Sequence, residues 1–146
     1  MPEDNKAETA PVTNFDPIDR FQTDRELARK TNDPMAHVCV LATVDHLGRP
    51  QVRTLVLRDV EYEGQTRLAI FVNANSPKWD ELSNSPSISI QTYWPGTSIQ
   101  YRIQATTQPL DAAVIAASWQ FRPDAPKKMD WLYQDSTQSA VVASRE

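Results

Sequence analysis

"QVRTLVLRDV", Gln51–Val60, decides how this chain is read. Its run of Val and Leu marks a strand, and a strand with one buried face normally alternates apolar with polar residues. Arg53 and Arg58 interrupt that pattern from inside the apolar run. A guanidinium placed there needs a counter-charge, because burying an unpaired charge is costly. Either another side chain supplies the anion or a ligand does.

The neighbouring stretches build a sheet around it. "HVCVLATV" (37–44) is apolar on both faces and reads as a central strand. "DHLGRP" then turns the chain, with Gly48 free to take a left-handed conformation, so 51–60 is the return strand of a hairpin. "YEGQT" turns again at Gly64 and leads into "RLAIFVN" (67–73). "SISIQTYW" (87–94) sets Ile88, Ile90 and Trp94 on one face, and "IQYRIQATTQPL" (99–110) sets Ile99, Tyr101 and Ile103 opposite Gln100, Arg102 and Gln104. Helices fill the gaps. Asp16-Pro17 opens the first, with Ile18, Phe21 and Leu27 as its apolar face; Ser76-Pro77 opens a short one ended by Pro86; Asp111 caps "AAVIAASWQF" before Pro123. The polar remainder offers Trp131 and Leu132 as anchors. The expected fold is mainly β (α+β): five mainly antiparallel strands closing into a small barrel, with flanking helices, spanning 16–146 after a disordered tail at 1–15.

The bulk properties narrow the function. A net charge of −4 over 146 residues excludes a global basic field for nucleic acid, so any anion site is local. Cys39 is the one cysteine, too few for a disulfide framework or a zinc set, and reads as a core thiol. The apolar runs are too short to span a bilayer and the start lacks a secretory h-region, so a cytoplasmic protein without a membrane partner is expected. Three glycines form neither a dinucleotide fingerprint nor a phosphate loop, and two histidines, His37 and His46, suggest neither a metal site nor a triad. What remains is cationic and amide: Arg53 and Arg58, Gln100 and Arg102, and Lys78 in the first turn of the helix begun by Ser76. A helix start suits a phosphate, because its N–H groups and dipole point outward. Taken singly, each of these cations is more often a surface charge or half of an ion pair.

In order along the chain, these stretches resemble the pyridoxine/pyridoxamine 5′-phosphate oxidase family of FMN-binding split barrels. "DPIDRF" (16–21), "LATVDHLGRPQVRTLVLR" (41–58), "FVNANSPKWDELSNSPSISIQTYW" (71–94), "IQYRIQATTQPL" (99–110), "WQFRP" (119–123) and "STQSAVVASRE" (136–146) carry the likeness. The resemblance implies FMN bound at a homodimer interface. Arg53 and Lys78 would hold the FMN phosphate at the helix start of Ser76. Thr54, Leu55 and Val56 would pass backbone groups near the flavin ring, with Phe71, Val72 and Gln100 beside it. Gln138 and Ser139 would serve the flavin across the dimer. Arg58 and Arg122 would meet a small-molecule substrate. The activity implied is a flavin-dependent oxidoreductase with hydride transfer to flavin N5, its substrate open and no side chain acting as a catalytic acid or base.

The departures are specific. Pro77 stands where the family has an arginine, Val72 for a threonine, Arg58 for a lysine, Ser118 for a tyrosine, and Pro126 falls near a serine. The family ordinarily continues past "SRE" with a tryptophan and an Arg-x-His, so a short relative or a piece of one is expected. Two alternatives stay open: an FMN-binding module without turnover, and a cofactor-free structural or interaction domain.

Overall fold

The computed structural model describes residues 16–135, 137 and 138. The tail expected at 1–15 and Ser139 lie outside them, as does the side chain of Leu132. Six strands and four helices run in the order α1 (Pro17–Lys30), a 3-10 turn (Pro34–His37), β1 (Val38–Val44), β2 (Pro50–Val56), β3 (Arg58–Tyr62), β4 (Gln65–Ala69), α2 (Pro77–Asn84), β5 (Ser87–Trp94), β6 (Ile99–Thr106), α3 (Ala112–Gln120) and α4 (Asp124–Asp135). Strands β2-β1-β5-β6 form one sheet and β3-β4 a second, and all the pairings are antiparallel. This is a split barrel with flanking helices.

Two features depart from the strand reading. The stretch 51–60 is two strands: it breaks at Leu57, which leaves the first sheet and passes the chain to the second. Leu57 is buried, and its N–H bonds His37 O at 3.0 Å. The third expected strand, 67–73, is shorter and shifted to Gln65–Ala69. The hairpin loop does form as read. Gly48 takes φ 77°, and Asp45 accepts the N–H groups of Leu47 and Arg49. The backbone bond from Arg49, joined by its side chain, holds the Asp45 carboxyl down at about 2.

The four-stranded sheet has one helix-covered face and one open face. Leu41 of β1 sits between Arg53 of β2 and Ile90 of β5, which in turn faces Ile103 of β6. Cys39, Leu41, Ile88, Ile90 and Trp94 make the core with Phe21, Ala28, Ala36 and Leu57. The alternation expected of β5 holds at each residue. Phe21, Trp94 and Tyr101 form an aromatic cluster with centroids 5.1–5.6 Å apart. Burial pushes the Cys39 thiol up to about 11 against the opposing charge of Arg25.

Helix α1 faces the core with Phe21, Asp24, Arg25 and Ala28. Ile18 and Leu27, expected on that face, are instead about half exposed. The spacing 21, 24, 25, 28 is a proper helical stripe, but two of its four residues are charged. Arg25, 1% exposed, donates to Ala36 O at 2.9 Å, to Leu57 O, and to Asp59 Oδ1 at 2.8 Å. Asp59 also receives Arg29 at 2.7 Å and Gln22 at 3.2 Å. Burial works to raise the Asp59 carboxyl, but the Arg29 hydrogen bond and the Arg25 charge outweigh it and hold it low. Asp24 is met by Arg20 and Tyr101. Trp131, expected to anchor the C-terminal stretch, is 71% exposed on α4, a helix the sequence reading did not anticipate.

Arg25→Ala should destabilise the fold by about 3–5 kcal/mol, because it leaves the buried Ala36 and Leu57 carbonyls without this donor and takes one of two arginines from Asp59. Urea unfolding measures it, and a loss under about 1 kcal/mol would show that water replaces the guanidinium.

Candidate functional site

Helix α2 begins where sequence chemistry places it. Ser76 is the extended N-cap residue and Pro77 takes the first helical position. The Ser76 hydroxyl does not cap the helix; buried, it donates to Asn73 O at 2.7 Å. The Asn75 N–H bonds its neighbour Asn73 Oδ1 at 2.8 Å, and the Asn75 amide reaches Tyr133 O on α4 at 3.0 Å. Loop 73–76 is therefore bonded on both sides, which fixes the start of α2.

Lys78 and Glu81 lie three residues apart on α2 and so share one face of it. There they meet Arg53, which stands beside Leu41 on the helix-covered face of the sheet. Arg53 Nη2 donates to Glu81 Oε2 at 2.7 Å, and Nη1 donates to Thr43 Oγ1 and, at 3.4 Å, to Gln51 O. Thr43 also donates to Glu81 Oε2. Glu81 and Thr43 are buried, whereas Arg53 keeps about a fifth of its side-chain surface. Lys78 Nζ lies 3.2 Å from Gln138 Oε1. Burial first, and the Arg53 charge second, push the Lys78 ammonium below its ordinary value, against the pull of Glu81.

The anion demanded by Arg53 is thus supplied in part by the protein itself. Glu81 and Thr43 were invisible in the sequence, because nothing local ties them to a strand arginine. The cluster holds two cations and one carboxylate, and so keeps one positive charge in excess.

The other expected residues are distributed as follows. Leu55 packs against the core, whereas Thr54 and Val56 are exposed on the open face of β2, an edge strand. Gln100 is also on the open face, accepting from Gln91 at 3.2 Å, with the sheet between it and Arg53. Gln138 meets Lys78 of its own chain, although the resemblance implied service to a second copy. Arg58 lies 5.6 Å from the ring centre of Phe71, and Val72 follows half-buried. Arg122 pairs with Asp130 at 2.7 Å and lies over the Trp119 ring at 5.8 Å. A groove of about 460 Å³ crosses the open face between Val40, Val52, Gln91 and Arg102. Among the described residues, no cluster of His, Cys, Asp or Glu could hold a metal, and no helix is long and apolar enough to cross a membrane.

A split barrel with a cationic cluster at a helix start defines a class, and comparison with known proteins narrows it. The family described as pyridoxamine 5′-phosphate oxidase matches residues 29–145, and the chain belongs to that family. Pyridoxine/pyridoxamine 5′-phosphate oxidase of Chromohalobacter salexigens is 33% identical over 90% of this chain and 58% of its own. That of Pseudomonas syringae pv. tomato is 34% identical over 90% and 59%. The chain therefore spans about three fifths of the length of these curated relatives. Two solved structures share the fold at 22% identity. One is a pyridoxamine 5′-phosphate oxidase-related, FMN-binding protein from Nostoc punctiforme, with a TM-score of 0.70 over 92% of this chain and 70% of that one. The other is PhzG from Burkholderia lata, solved with tetrahydrophenazine-1-carboxylic acid, with a TM-score of 0.76 over 89% and 61%.

The lowered Lys78 value carries a sign. Its charged form is disfavoured in the folded state, so the penalty is full below the folded value and fades as pH rises towards the unfolded one. Wild-type stability relative to Lys78→Met should therefore rise between neutral pH and about pH 10. Paired urea titrations across that range measure it; a constant difference would mean that Lys78 is solvated.

Proposed function

We propose that this chain binds FMN as a homodimer and serves as a flavin-dependent oxidoreductase. The observation that carries the reading is the excess positive charge where Arg53 and Lys78 converge at the start of α2. Arg53, Lys78 and the loop at Ser76 would hold the phosphate. The open edge of β2 at Thr54–Val56 offers strand backbone groups to a planar heteroatom ring, with Phe71 and Val72 as neighbours. When bound, the flavin supplies hydride acceptance at N5. The residues of this chain would then bind, orient and exclude water.

The placement of Gln100 supports a two-copy site. Gln100 is on β6, at the opposite edge of the four-stranded sheet from β2, so a second copy would bring it to a ligand held at Arg53 and Thr54–Val56. A ring system of flavin size is also better enclosed between two surfaces than on one open face. Arg58 and Arg122 are the proposed substrate cations.

A second reading is an FMN module without turnover. Arg122 favours it, because Asp130 already neutralises that arginine at 2.7 Å, and Ser118 is too short to stand in for a tyrosine hydroxyl.

Arg53→Ala should weaken FMN binding by about ten- to a hundredfold, the value of one charge-assisted contact, and Lys78→Ala by less. Fluorescence titration of FMN into each variant measures this, and parental affinity in Arg53→Ala would remove β2 from the phosphate site. The FMN-loaded protein should sediment as a dimer.

Turnover of pyridoxamine phosphate by this chain should be several powers of ten below that of the curated relatives, since two or three polar contacts at ~1–3 kcal/mol each are replaced or occupied. Oxygen uptake by FMN-loaded protein, compared with free FMN, measures it. Robust turnover would rule out the module reading.

A further inference from the structure

We infer that Glu81 and Thr43 are positioning residues that clamp one edge of the Arg53 guanidinium and leave the adjacent edge presented to a phosphate-type anion. The inference rests on the reading of Arg53 as a phosphate ligand.

A guanidinium carries five N–H donors in one plane. Arg53 spends two of them through Nη1, on Thr43 Oγ1 and Gln51 O, and one through Nη2, on Glu81 Oε2. Thr43 Oγ1 donates to the same Glu81 oxygen, so the two main acceptors lie side by side. Adjacent acceptors met by Nη1 and Nη2 take the guanidinium end-on. The Nε–H and the second Nη2 N–H remain, parallel on the neighbouring edge. Among the described residues neither has a partner. That pair is the fork which matches two oxygens of a phosphate.

Burial divides the labour in the same way. Glu81 and Thr43 are 8% and 2% exposed, so the clamp is rigid, while Arg53 retains access. The clamp joins α2 to β1 and β2, and so fixes the guanidinium before any ligand arrives; donors ordered in advance lose less entropy on binding. Lys78, one turn before Glu81, has the neutral Gln138 amide as its partner. The second cation therefore stays available beside the open fork. A carboxylate placed only to neutralise Arg53 would require neither Thr43 nor Lys78.

The test compares FMN with riboflavin, which differ by the phosphate, on the full chain. Wild type should prefer FMN. Glu81→Ala should lose about tenfold or more of that preference with riboflavin affinity unchanged, the size of one charge-assisted contact. Glu81→Gln keeps an oxygen for Nη2 and should recover most of the preference. Thr43→Val should lose a smaller part. FMN binding by Glu81→Ala as tight as wild type or tighter would overturn the clamp, since Glu81 would then only compete with the phosphate; so would failure of Glu81→Gln to recover. If Glu81→Ala does not fold, Thr43→Val decides, and a fully retained preference overturns the proposal. A wild type that prefers FMN no more than Arg53→Ala does removes the phosphate reading itself, and the clamp falls with it.

Discussion

The Arg25 guanidinium governs how this chain is put together. Buried beneath α1, it gathers Ala36 O, Leu57 O and Asp59 into one network. Those three groups belong to the 3-10 turn, the break after β2 and the first residues of β3. A single side chain thus joins the entry to the central strand with the point where the chain changes sheets. A buried ion pair of this kind is a weak source of net stability but a strong source of geometry, since its removal leaves several groups unpaired. Once Leu57 is fixed, the direction of β2 is fixed, and with it the face on which Arg53 stands.

Two arginines, Arg25 and Arg53, answer the same physical problem differently. Arg25 spends its donors on carbonyls and one carboxylate and has almost no exposed surface. Arg53 also meets a carboxylate, but it keeps surface and has Lys78 close by. The contrast separates a structural guanidinium from one suited to a ligand. Neither distinction follows from the presence of an arginine in an apolar stretch.

Much of the architecture was legible because it is local. The alternation of Ile88, Ile90 and Trp94, the Asp45–Gly48 turn and the Ser76-Pro77 helix start each follow from residues adjacent in sequence. The misreadings have physical reasons. The buried stripe of α1 contains Asp24 and Arg25, so its apolar signal is weak and Ile18 and Leu27 drew the face the wrong way. The break at Leu57 has no Gly or Pro to announce it; a tertiary hydrogen bond makes it. Helix α4 was hidden by Pro126, which sits within its first turn, where proline is tolerated. Arg53 and Lys78 were singled out from charge and helix-start chemistry together with family likeness. Glu81 and Thr43 were not, because their contact exists only once α2 lies across β1.

Cys39 lies in the same core, opposite Leu55 in the β1–β2 pairing and 2% exposed. Burial lifts its thiol to about 11, so at neutral pH the reactive thiolate is scarce as well as inaccessible. Its alkylation must wait for the central strand to come away from its neighbours. With no other thiol in the chain to blur the signal, the labelling rate becomes an internal clock for the rarest opening of the barrel.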